Sequence, residues 1–403
     1  MAVKDDDYLA RVLSSRVYEV ARVTPLEEMK MLSDRLGFRL LLKREDLQSV
    51  HSFKIRGAYN KMSRLTAAEL RRGVLAASAG NHAQGVALSA QKLGARATIV
   101  MPETTPDIKI EAVRSYGARV VLSGESYSDA AAAARKLGAE RGLTFIHPYD
   151  DPDVIAGQGT VAKEILEQCP TVNAIFIPIG GGGFAAGVSA YVKSVNPSVK
   201  VYGVEPEDSD CMYRSIRARR RVTVEQPGLF ADGVCVKTPG VESFRLCRMH
   251  LDGIVRVLTS ETCEAIEDIF AATRVVCEPA GALALAAAKK TLKRGMVGAA
   301  IVSGANVNFS SLMFISAVAT FSRFWRAIMR DGRVCLAEAR EMLRRLENDT
   351  TLPPDLVELM DILRAVLKRG KVGRADTIAI SEHIHRLIDR SIRTANDRAI
   401  IMG

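Results

Sequence analysis

The stretch Ser52-Phe53-Lys54-Ile55-Arg56-Gly57-Ala58 places one lysine between an aromatic residue and the start of a helix. The apolar run Leu40-Leu41-Leu42 precedes it and predicts a buried strand that leads into a charged loop. A lysine beyond such a strand faces a cleft, where desolvation lowers the pKa of its amine and makes it a nucleophile toward a carbonyl. Taken alone, Lys54 is more readily explained as a surface lysine, so its interpretation depends on the rest of the chain.

The composition is typical of a globular protein with a large core. The 403 residues are 48% hydrophobic and carry a formal net charge of +10. This length favours two or three folding units over one. Basic residues are scattered without interleaved aromatic residues, so we expect no nucleic-acid partner. The acidic N-terminus predicts no secretory signal, and no stretch is long and apolar enough to cross a membrane.

The seven cysteines are spread along the chain without a CxxC pair. This spacing predicts neither a zinc site nor a disulfide framework, so we expect reduced thiols in a cytoplasmic protein. The pair His383 and His385 predicts no metal site either, because side chains two positions apart diverge on a helix.

Short apolar strands alternate with helices from Gly73 onward. The predicted strands occupy residues 74–77, 97–101, 120–122, 144–146, 174–179, 199–205, 253–257 and 297–302. This alternation predicts an α/β protein with helices on both faces of two parallel sheets. We expect a catalytic region over residues 1–321, in which a small α/β subdomain covers about 72–147 and the remainder forms a larger one. The active site is expected in the cleft at the carboxyl ends of the strands.

Local patterns predict further elements. The sequence around Thr24 predicts a helix that ends at Gly37, and residues 150–159 are predicted to be a loop. A helix is predicted over residues 187–195, and residues 206–238 are expected to be irregular. Residues 322–403 lack strand patterns and show helical periodicity near 336–346, 356–367 and 384–392, which predicts a helical C-terminal extension.

The stretch Gly180-Gly181-Gly182-Gly183-Phe184 follows a predicted strand and precedes a helix. Consecutive glycines leave backbone N–H groups free to approach an anion, and the helix dipole adds to the attraction. We favour a phosphate-binding loop over a merely flexible one, because glycine loses much entropy when it is ordered.

Two other strand ends carry polar residues. Ser78-Ala79-Gly80-Asn81-His82 brings a hydroxyl, an amide, an imidazole and helix-start N–H groups together, which suits a carboxylate. Plain helix capping by Ser78 or Asn81 explains this stretch equally well. Ser303-Gly304-Ala305-Asn306 offers a hydroxyl for a ring nitrogen, although a capped turn is the simpler explanation for it alone.

Together, the four stretches offer an amine for an aldehyde, a loop for a phosphate, polar groups for a carboxylate and a hydroxyl for a pyridine nitrogen. This combination fits pyridoxal 5'-phosphate (PLP) with an amino acid on it. The chain also resembles the tryptophan-synthase-like (fold-type II) PLP enzymes, most closely the biosynthetic L-threonine dehydratases, or threonine ammonia-lyases. The resemblance covers about residues 8–315. The matching residues are 43–46, 50–59, 78–85, 180–183, 230–234 and 303–309.

The resemblance implies roles for the residues that would hold the cofactor. Lys54 looks like the lysine that forms a Schiff base with PLP, and Phe53 like the residue that lines the ring. Gly180, Gly181, Gly182 and Gly183, with Phe184, look like the loop that binds the phosphate.

The resemblance also assigns the polar residues. Asn81 looks like the partner of the PLP hydroxyl, and Ser303 like the partner of the ring nitrogen. Ser78, Ala79 and His82, together with Asn81, look like the residues that bind the substrate carboxylate.

The implied activity is the PLP-dependent deamination of L-threonine to 2-oxobutanoate and ammonia, the first step toward isoleucine, with L-serine to pyruvate as a second reaction. Freed Lys54 removes the α-proton, and the cofactor phosphate donates a proton to the leaving hydroxyl. A serine at the ring nitrogen does not keep that nitrogen protonated, so the ring is a weaker electron sink and elimination is favoured over transamination. The expected assembly is a homo-oligomer, a dimer or a tetramer.

Three alternatives stay open. A serine dehydratase or racemase has the same fold, and one methyl group is worth only about 1 kcal/mol of discrimination. A dinucleotide-binding oxidoreductase is also compatible, because Gly180, Gly182 and Ala185 fit G-x-G-x-x-A and Glu205 follows about twenty residues later. A non-catalytic relative is the third, and the presence of Lys54 and Ser303 argues against it.

Two features depart from the family. Biosynthetic members often carry a C-terminal α/β regulatory region that binds isoleucine or valine, whereas residues 322–403 look helical. We therefore expect no isoleucine feedback through such a module, and we expect the helices to support oligomerisation. The related serine racemases bind a divalent cation near the position of Glu205, but Cys211 stands where an acidic ligand is expected, so we predict no metal site.

Overall fold

The structure, a computed structural model, describes residues 6–312, 314–316, 318–320, 322, 336–347, 354–373, 375–380 and 382–383. The strands are β1 (Leu26–Glu28), β2 (Arg39–Arg44), β3 (Val74–Ala77), β4 (Ala97–Met101), β5 (Arg119–Leu122), β6 (Thr144–Phe145), β7 (Ala174–Pro178), β8 (Lys200–Pro206), β9 (Gly253–Val257) and β10 (Val297–Val302).

The α-helices are α1 (Asp6–Leu13), α2 (Lys30–Leu36), α3 (Lys54–Met62), α4 (Ala67–Arg72), α5 (Asn81–Leu93), α6 (Asp107–Arg114), α7 (Tyr127–Arg141), α8 (Pro152–Gln168), α9 (Gly183–Val195), α10 (Cys211–Ala218), α11 (Val241–His250), α12 (Thr259–Thr273), α13 (Pro279–Thr291), α14 (Leu336–Glu347) and α15 (Pro354–Arg369). Single turns of 3-10 helix lie at Val17–Glu19, Glu45–Leu47, Asp232–Val234 and Phe309–Ser311.

The larger sheet has six strands in the order β1-β2-β10-β7-β8-β9. All neighbouring pairs are parallel except β1 with β2. Val302 at the end of β10 pairs with Arg44 at the end of β2, so these two strands end at the same edge of the sheet. The segments that follow β2, β7 and β10 therefore leave from one edge, and they carry Lys54, the glycine loop and Ser303.

The smaller sheet has four parallel strands in the order β5-β4-β3-β6. It lies within the predicted range 72–147. The carboxyl end of β3 leads directly into the segment of Ser78 and Asn81. The predicted α/β fold with two parallel sheets is confirmed.

Helices cover both faces of the larger sheet. Every residue of β7 is buried, as expected for a parallel strand between two helical layers. One hydrophobic cluster packs α12 and α13 against one face, and a second packs α8, α9 and α11 against the other. The two layers of helices hold the sheet in position, and the sheet determines where the loops at its carboxyl edge lie.

The predicted helix from Thr24 to Gly37 is partly wrong. Residues 26–28 form β1, which pairs antiparallel with residues 41–43 of β2, and α2 begins only at Lys30. The predicted end is correct, since Gly37 adopts a left-handed conformation with φ of +74°. A three-residue edge strand is too short to leave a periodic signal, and only its partner strand reveals it.

The predicted loop at 150–159 is wrong, because α8 begins at Pro152. Asp151 caps the helix by accepting hydrogen bonds from the N–H groups of Asp153 and Val154 at 2.8 and 3.2 Å. The glycines that suggested a loop are packing positions. A Cβ atom at Gly157 would lie 2.7 Å from a backbone oxygen of α3, and one at Gly159 would lie 2.9 Å from a backbone oxygen of α9.

Two further predictions need correction. Helix α9 begins at Gly183, four residues before the predicted start, so the last glycine of the loop belongs to the helix. The region 206–238, expected to be irregular, contains α10. Its first N–H groups donate to Glu205 at the end of β8. A local sequence pattern does not reveal this contact.

The C-terminal region is helical where it is described. Helices α14 and α15 correspond to two of the predicted helices, and they contact each other. The third, near 384–392, lies outside the described residues, as does His385 of the histidine pair. Among the helices that the structure describes, none combines the length and the apolar character that crossing a membrane requires.

Candidate active site

Lys54 is the first residue of α3. Neighbouring helices approach this helix closely through two glycines. A Cβ atom at Gly85 of α5 would lie 3.2 Å from the carbonyl carbon of Lys54. A Cβ atom at Gly157 of α8 would lie 2.7 Å from the carbonyl oxygen of Arg56. The start of α3 is therefore held between α5 and α8, and the lysine is anchored through its backbone.

The amine of Lys54 lies in a largely desolvated position. Its Nζ donates a hydrogen bond to the carbonyl oxygen of Pro148 at 3.0 Å and lies 5.3 Å from the centre of the Phe53 ring. Burial lowers the pKa of this amine to about 8, although the negative charge of Glu278 acts in the opposite direction. A substantial fraction of Lys54 is therefore neutral near neutral pH, as a nucleophilic amine requires.

In the glycine loop, the carbonyl groups are hydrogen-bonded within the protein, whereas the N–H groups have no such partners among the described residues. The carbonyl oxygens of Gly180, Gly181 and Gly182 each accept a hydrogen bond from the protein behind the loop. The donors are, in order, the thiol of Cys211 (4.0 Å), the N–H of Gly240 (3.1 Å) and the thiol of Cys247 (3.6 Å). Within the described part of the chain, no acceptor takes the N–H groups of residues 180–185. Six free N–H groups at the start of α9 suit an anion such as a phosphate.

Close contacts with Tyr149 require glycine at positions 181 and 183 of this loop. A Cβ atom at Gly183 would lie 2.1 Å from the carbonyl oxygen of Tyr149, and one at Gly181 would lie 2.4 Å from its ring. Beyond the loop, the ring of Phe184 stacks on that of Phe53, with centroids 3.8 Å apart and planes at 10°. The stacking brings the phosphate loop next to the lysine segment.

The start of α5 supplies a second group of N–H donors. Gly80 occupies the cap position, and neither Ser78 nor Asn81 caps the helix with its side chain. The hydroxyl of Ser78 instead accepts a hydrogen bond from the N–H of Gly80 at 3.2 Å. Among the described residues, no acceptor takes the N–H groups of Ala79, Asn81 or His82. These groups are available to a carboxylate at the N-terminus of a 13-residue helix.

His82 is buried and neutral. Its Nε2 lies 2.9 Å from the carbonyl oxygen of Ile146, and because a carbonyl only accepts, Nε2 carries the proton. Burial, with the nearby charge of Lys54, lowers the pKa of the ring to about 3. Its Nδ1 is an acceptor without a partner among the described residues. A carboxylate near His82 would therefore be bound by its backbone N–H, not by its ring.

Ser303 directly follows β10 and is brought to the lysine segment by backbone pairing. Its carbonyl oxygen accepts a hydrogen bond from the N–H of Phe53 at 3.1 Å. Next to it, Ser52 and Gly304 form an antiparallel bridge. Ser303 is 2% exposed. Residues that are far apart in the chain are thus neighbours, as the common strand edge predicts.

One residue of the site was not predicted from the sequence. Glu278 is 3% exposed and contacts the side chain of Asn81, with its Oε1 2.8 Å from Asn81 Nδ2. It precedes Pro279 at the start of α13. Its sequence context is typical of an ordinary acidic residue at a helix N-terminus. The apolar run before it, Val275-Val276-Cys277, is the one local sign that this carboxyl group is buried.

The residues present fit PLP. Two buried polar atoms in the segments around Lys54 and Asn81, namely Ser52 Oγ and His82 Nδ1, have no partner among the described residues. The six free N–H groups of the glycine loop suit a phosphate, and the Lys54 amine suits an aldehyde. The loop could not hold larger residues, as the contacts of Gly181 and Gly183 show.

The alternative dinucleotide site is not supported by the geometry of Glu205. Both of its carboxyl oxygens are occupied by the N–H groups of Met212 and Tyr213, at 2.9 and 2.8 Å, so the side chain cannot bind a ribose. The carboxyl group is buried, and burial raises its pKa to about 8. Burial also raises the pKa of the neighbouring Cys211 thiol, which therefore stays protonated.

No cluster of three or more potential metal ligands occurs in the residues that the structure describes. Cys211 is a thiol donor to the glycine loop there, and Glu205 caps α10. The expected absence of a bound cation stays a prediction.

Known proteins with similar sequences are biosynthetic threonine dehydratases. The L-threonine dehydratase biosynthetic IlvA of Burkholderia multivorans is 55% identical over 318 residues, which cover 77% of this chain and 63% of the relative. The chloroplastic biosynthetic threonine dehydratase of Arabidopsis thaliana is 52% identical over 328 residues, 80% of this chain and 55% of the relative. The chain thus spans less than two thirds of the length of these curated relatives.

Solved structures of similar fold include the processed form of threonine deaminase isoform 2 from Solanum lycopersicum. It has a TM-score of 0.77 and 46% identity, and the match covers 78% of this chain and 88% of that one. Maize serine racemase has a TM-score of 0.73 and 32% identity, over 78% of this chain and 96% of that one. The family model described as "Pyridoxal-phosphate dependent enzyme" matches residues 17–304. With its two parallel sheets, its lysine and its glycine loop, the chain belongs to this family of pyridoxal-phosphate dependent enzymes.

Proposed function

We propose that the protein deaminates L-threonine to 2-oxobutanoate and ammonia, the first step toward isoleucine, and also converts L-serine to pyruvate. The observation that carries the proposal is that Lys54 and the glycine loop at one edge of the larger sheet face the free N–H groups of α5, which follows β3 of the smaller sheet. The identity of 55% to a biosynthetic threonine dehydratase supports threonine over other amino acids.

In this proposal, PLP is held at three points. The N–H groups of residues 180–185 bind its phosphate, Lys54 binds its aldehyde carbon, and Phe53 lines its ring. Asn81 faces the ring hydroxyl, and Ser303 faces the ring nitrogen. Ser303 is uncharged and does not keep that nitrogen protonated, which favours elimination over transamination.

The substrate carboxylate lies at the N-terminus of α5, where Ser78, Ala79, Asn81 and His82 surround it. Bound PLP supplies an aldehyde that takes up the substrate amine and a ring that accepts electron density when the α-carbon loses its proton. Lys54 would be the base for that proton. Its lowered pKa suits this role, because a neutral amine is needed. The β-hydroxyl would leave with a proton as water, and one water would be taken up again as the product releases ammonia to give the oxo acid.

A serine racemase or dehydratase is the second candidate. The observation in its favour is the likeness to maize serine racemase at 32% identity over 78% of the chain. Threonine and serine differ by one methyl group, which a pocket discriminates by only about 1–3 kcal/mol. A direct comparison of the two substrates therefore separates the candidates.

We further propose a cytoplasmic homo-oligomer, a dimer or a tetramer, in which the C-terminal helices contribute to assembly. The six described cysteines are free thiols, in agreement with a reducing compartment. In the described C-terminal helices, Val357 and Ile378 are exposed apolar residues, which suits a contact between subunits. The substrate is the small-molecule partner, and we propose neither a nucleic-acid nor a membrane partner.

The test is an absorbance spectrum of the purified protein before and after addition of threonine, with an assay for 2-oxobutanoate. We expect a visible band of bound cofactor that changes with threonine, and product formation faster than with serine. Lys54→Ala should lose both, whereas the control Lys61→Ala, on the same helix but paired with Asp151, should keep both. A colourless protein that PLP cannot reconstitute would contradict the proposal, and racemisation of serine without 2-oxobutanoate formation would favour the second candidate.

A further inference from the structure

Three side chains form a closed hydrogen-bonded group beside the proposed cofactor ring. Asn81 Nδ2 donates to Glu278 Oε1 at 2.8 Å, and Asn306 Nδ2 donates to Asn81 Oδ1 at 2.6 Å. The backbone N–H of Asn306 donates to Glu278 Oε2 at 3.1 Å. The three residues come from α5, the N-terminus of α13 and the segment after β10, which are distant in sequence.

The group has only one possible arrangement of donors and acceptors. Asn306 Nδ2 also donates to the carbonyl oxygen of Val50 at 2.9 Å, and because that oxygen only accepts, the amide of Asn306 cannot be flipped. Asn306 therefore directs an N–H toward Asn81, and the side-chain oxygen of Asn81 must accept it. The nitrogen of Asn81 consequently points to Glu278. The orientation of one amide is thus transmitted from a fixed backbone oxygen to Asn81.

Asn81 retains one hydrogen that this group does not use. An amide nitrogen carries two hydrogens, and Glu278 accepts one of them. Among the described residues, no acceptor takes the other. This second N–H is available to an acceptor outside the group, such as a ligand oxygen.

Burying the carboxyl group of Glu278 is unfavourable in free energy. A Cβ atom at Gly304 would lie 2.8 Å from Glu278 Oε1, so a larger residue there would displace the carboxyl group. Burial raises the pKa of Glu278 to about 7, and Asp232 adds to the rise, while Asn81, Asn306 and Lys109 oppose it. A buried carboxylate is expensive, and a neutral side chain of similar size would fill the space at lower cost. This cost argues for a role beyond packing.

We propose that Glu278 and Asn306 are positioning residues that lock the amide of Asn81, so that its second N–H faces the hydroxyl of the pyridoxal ring. The inference rests on the proposed role of Asn81 at the ring and deepens it. Glu278 accepts from the first N–H and polarises the amide, which strengthens the second N–H as a donor. Asn306 prevents the flip that would turn the oxygen of Asn81 toward the ring.

The test uses two single variants and one double variant. In Glu278→Gln, the new amide can accept from Asn81 or from the N–H of Asn306 but not from both, and it carries no charge that polarises the amide of Asn81. In Asn81→Asp, the N–H toward the ring is removed.

The double variant Asn81→Asp with Glu278→Gln exchanges the acid and the amide. The amide introduced at position 278 donates to the carboxylate introduced at position 81 and accepts from the N–H of Asn306. Every hydrogen bond within the group therefore has a donor and an acceptor again, and the net charge is that of the wild type. The double variant restores the group without restoring the N–H toward the ring.

Binding of PLP itself, the pH dependence of its visible absorbance band, and the thermal unfolding temperature are measured for each protein. We expect Glu278→Gln to bind PLP at least tenfold more weakly and to shift the pH dependence of the band. The double variant should regain thermal stability relative to Asn81→Asp but not PLP affinity. The control Glu264→Gln, a buried glutamate on α12 that is 2% exposed, should bind PLP as the wild type does.

Two results would overturn the inference. One is PLP affinity and band behaviour within twofold of the wild type in Glu278→Gln, and the other is recovery of PLP affinity together with stability in the double variant. Neither measurement contains threonine, so a wild-type protein that binds PLP without deaminating threonine would contradict the proposed function alone. A wild-type protein that does not bind PLP would contradict both.

Discussion

The amine of Lys54 has a pKa of about 8 because its surroundings are desolvated. Only the neutral amine attacks an aldehyde, so the rate at which the cofactor-free protein takes up PLP should rise with pH and level off above about pH 8. Stopped-flow absorbance at a series of pH values measures this rate. His82 should not contribute to the profile in this range, because its pKa is about 3. A rate that continued to rise to the pH of an ordinary exposed lysine would show that Lys54 is not desolvated.

Glu205 should make the protein less stable as the pH rises. Burial raises its pKa in the folded protein to about 8 from the ordinary value of 4.5, so the folded state holds a proton that the unfolded state releases between these values. The stability that this proton confers is complete below about pH 4.5 and is lost as the pH rises through about 8. In Glu205→Gln this loss cannot occur.

The measurement is denaturant unfolding of Glu205→Gln and wild type between pH 5 and 9. Gln cannot accept both N–H groups of α10, so an offset in the free energy of unfolding is expected at every pH. The difference between the two proteins should nevertheless move in favour of the variant as the pH rises. A difference that is independent of pH would mean that Glu205 is already ionised at pH 5.

The residues that the sequence predicts for the candidate site stand at strand ends. Lys54, the glycine loop, Asn81 and Ser303 each follow a strand, and parallel strands bring their carboxyl ends to one or two edges. The sequence did not reveal Glu278, which reaches Asn81 across 197 positions of the chain. It also did not reveal that His82 gives its ring N–H to Ile146, because a tautomer depends on a partner that no local pattern identifies.

At the scale of elements, the loop before α9 depends on a close contact with the segment after β6. In Gly183→Ala, the new Cβ atom would meet the carbonyl oxygen of Tyr149 at 2.1 Å, so the loop or Tyr149 must move. We expect PLP affinity to fall by roughly tenfold or more, because the N–H groups that bind the phosphate are displaced. Titration of the cofactor-free protein with PLP measures the loss.

A matched control is Gly253→Ala on β9. Its Cβ atom would lie 3.6 Å from the ring of Tyr202, an ordinary contact, and it is not part of the loop. This variant should bind PLP normally. Equal losses in the two variants would show that the effect is a general loss of stability and not a displacement of the loop.

Helix α3 is held in place by a buried group of ion pairs. Arg56, fully buried two residues after Lys54, pairs with Glu45 at 2.7 Å and with Glu164 at 2.6 Å. Lys43 pairs with Glu164 as well, also at 2.6 Å. The four charges connect β2, α3 and α8, the elements that surround the lysine.

Removing Arg56 should be strongly destabilising. In Arg56→Met, two buried carboxylates keep one cation between them, and we expect a loss of about 3–5 kcal/mol in the free energy of unfolding. The control Arg16→Met removes an exposed pair with Glu19 and should cost less than about 1 kcal/mol. Denaturant unfolding gives both values. A loss below about 1 kcal/mol for Arg56→Met would mean that the buried pairs do not hold α3.

Element prediction succeeded where one segment contains its own signal. Strands β3, β4, β9 and β10 have the predicted bounds, because turn residues and apolar runs mark both ends. It failed at the start of α8, where Gly157 and Gly159 suggested a loop. Those glycines are required by backbone atoms of α3 and α9, which lie far away in sequence.

The molecule as a whole forms the site from both sheets. The larger sheet contributes Lys54, the glycine loop and Ser303, and the smaller sheet contributes the start of α5. An ion pair between Lys109 of α6 and Asp232, 3.1 Å long, also joins the two parts near the site. The order of the strands, with β2, β10 and β7 side by side, is what brings three distant segments together.

The C-terminal region determines whether we expect feedback regulation by an amino acid. The described residues between 336 and 383 form helices, including α14 and α15, and contain no strand. An α/β module that binds an amino acid needs a sheet whose strand ends and loops form the pocket. The match to the family model also ends at residue 304, before this region begins.

We therefore predict that isoleucine at millimolar concentrations leaves the deamination of threonine unchanged and that threonine saturation is hyperbolic. Initial rates over a range of threonine concentrations, with and without isoleucine, test this, and calorimetry with isoleucine alone tests binding directly. The same measurements with valine serve as a comparison, because a regulatory module of the family binds either amino acid. Sigmoidal saturation that isoleucine strengthens would contradict the prediction, because it requires an effector site, and calorimetry with a variant that lacks the C-terminal helices would show whether they form it.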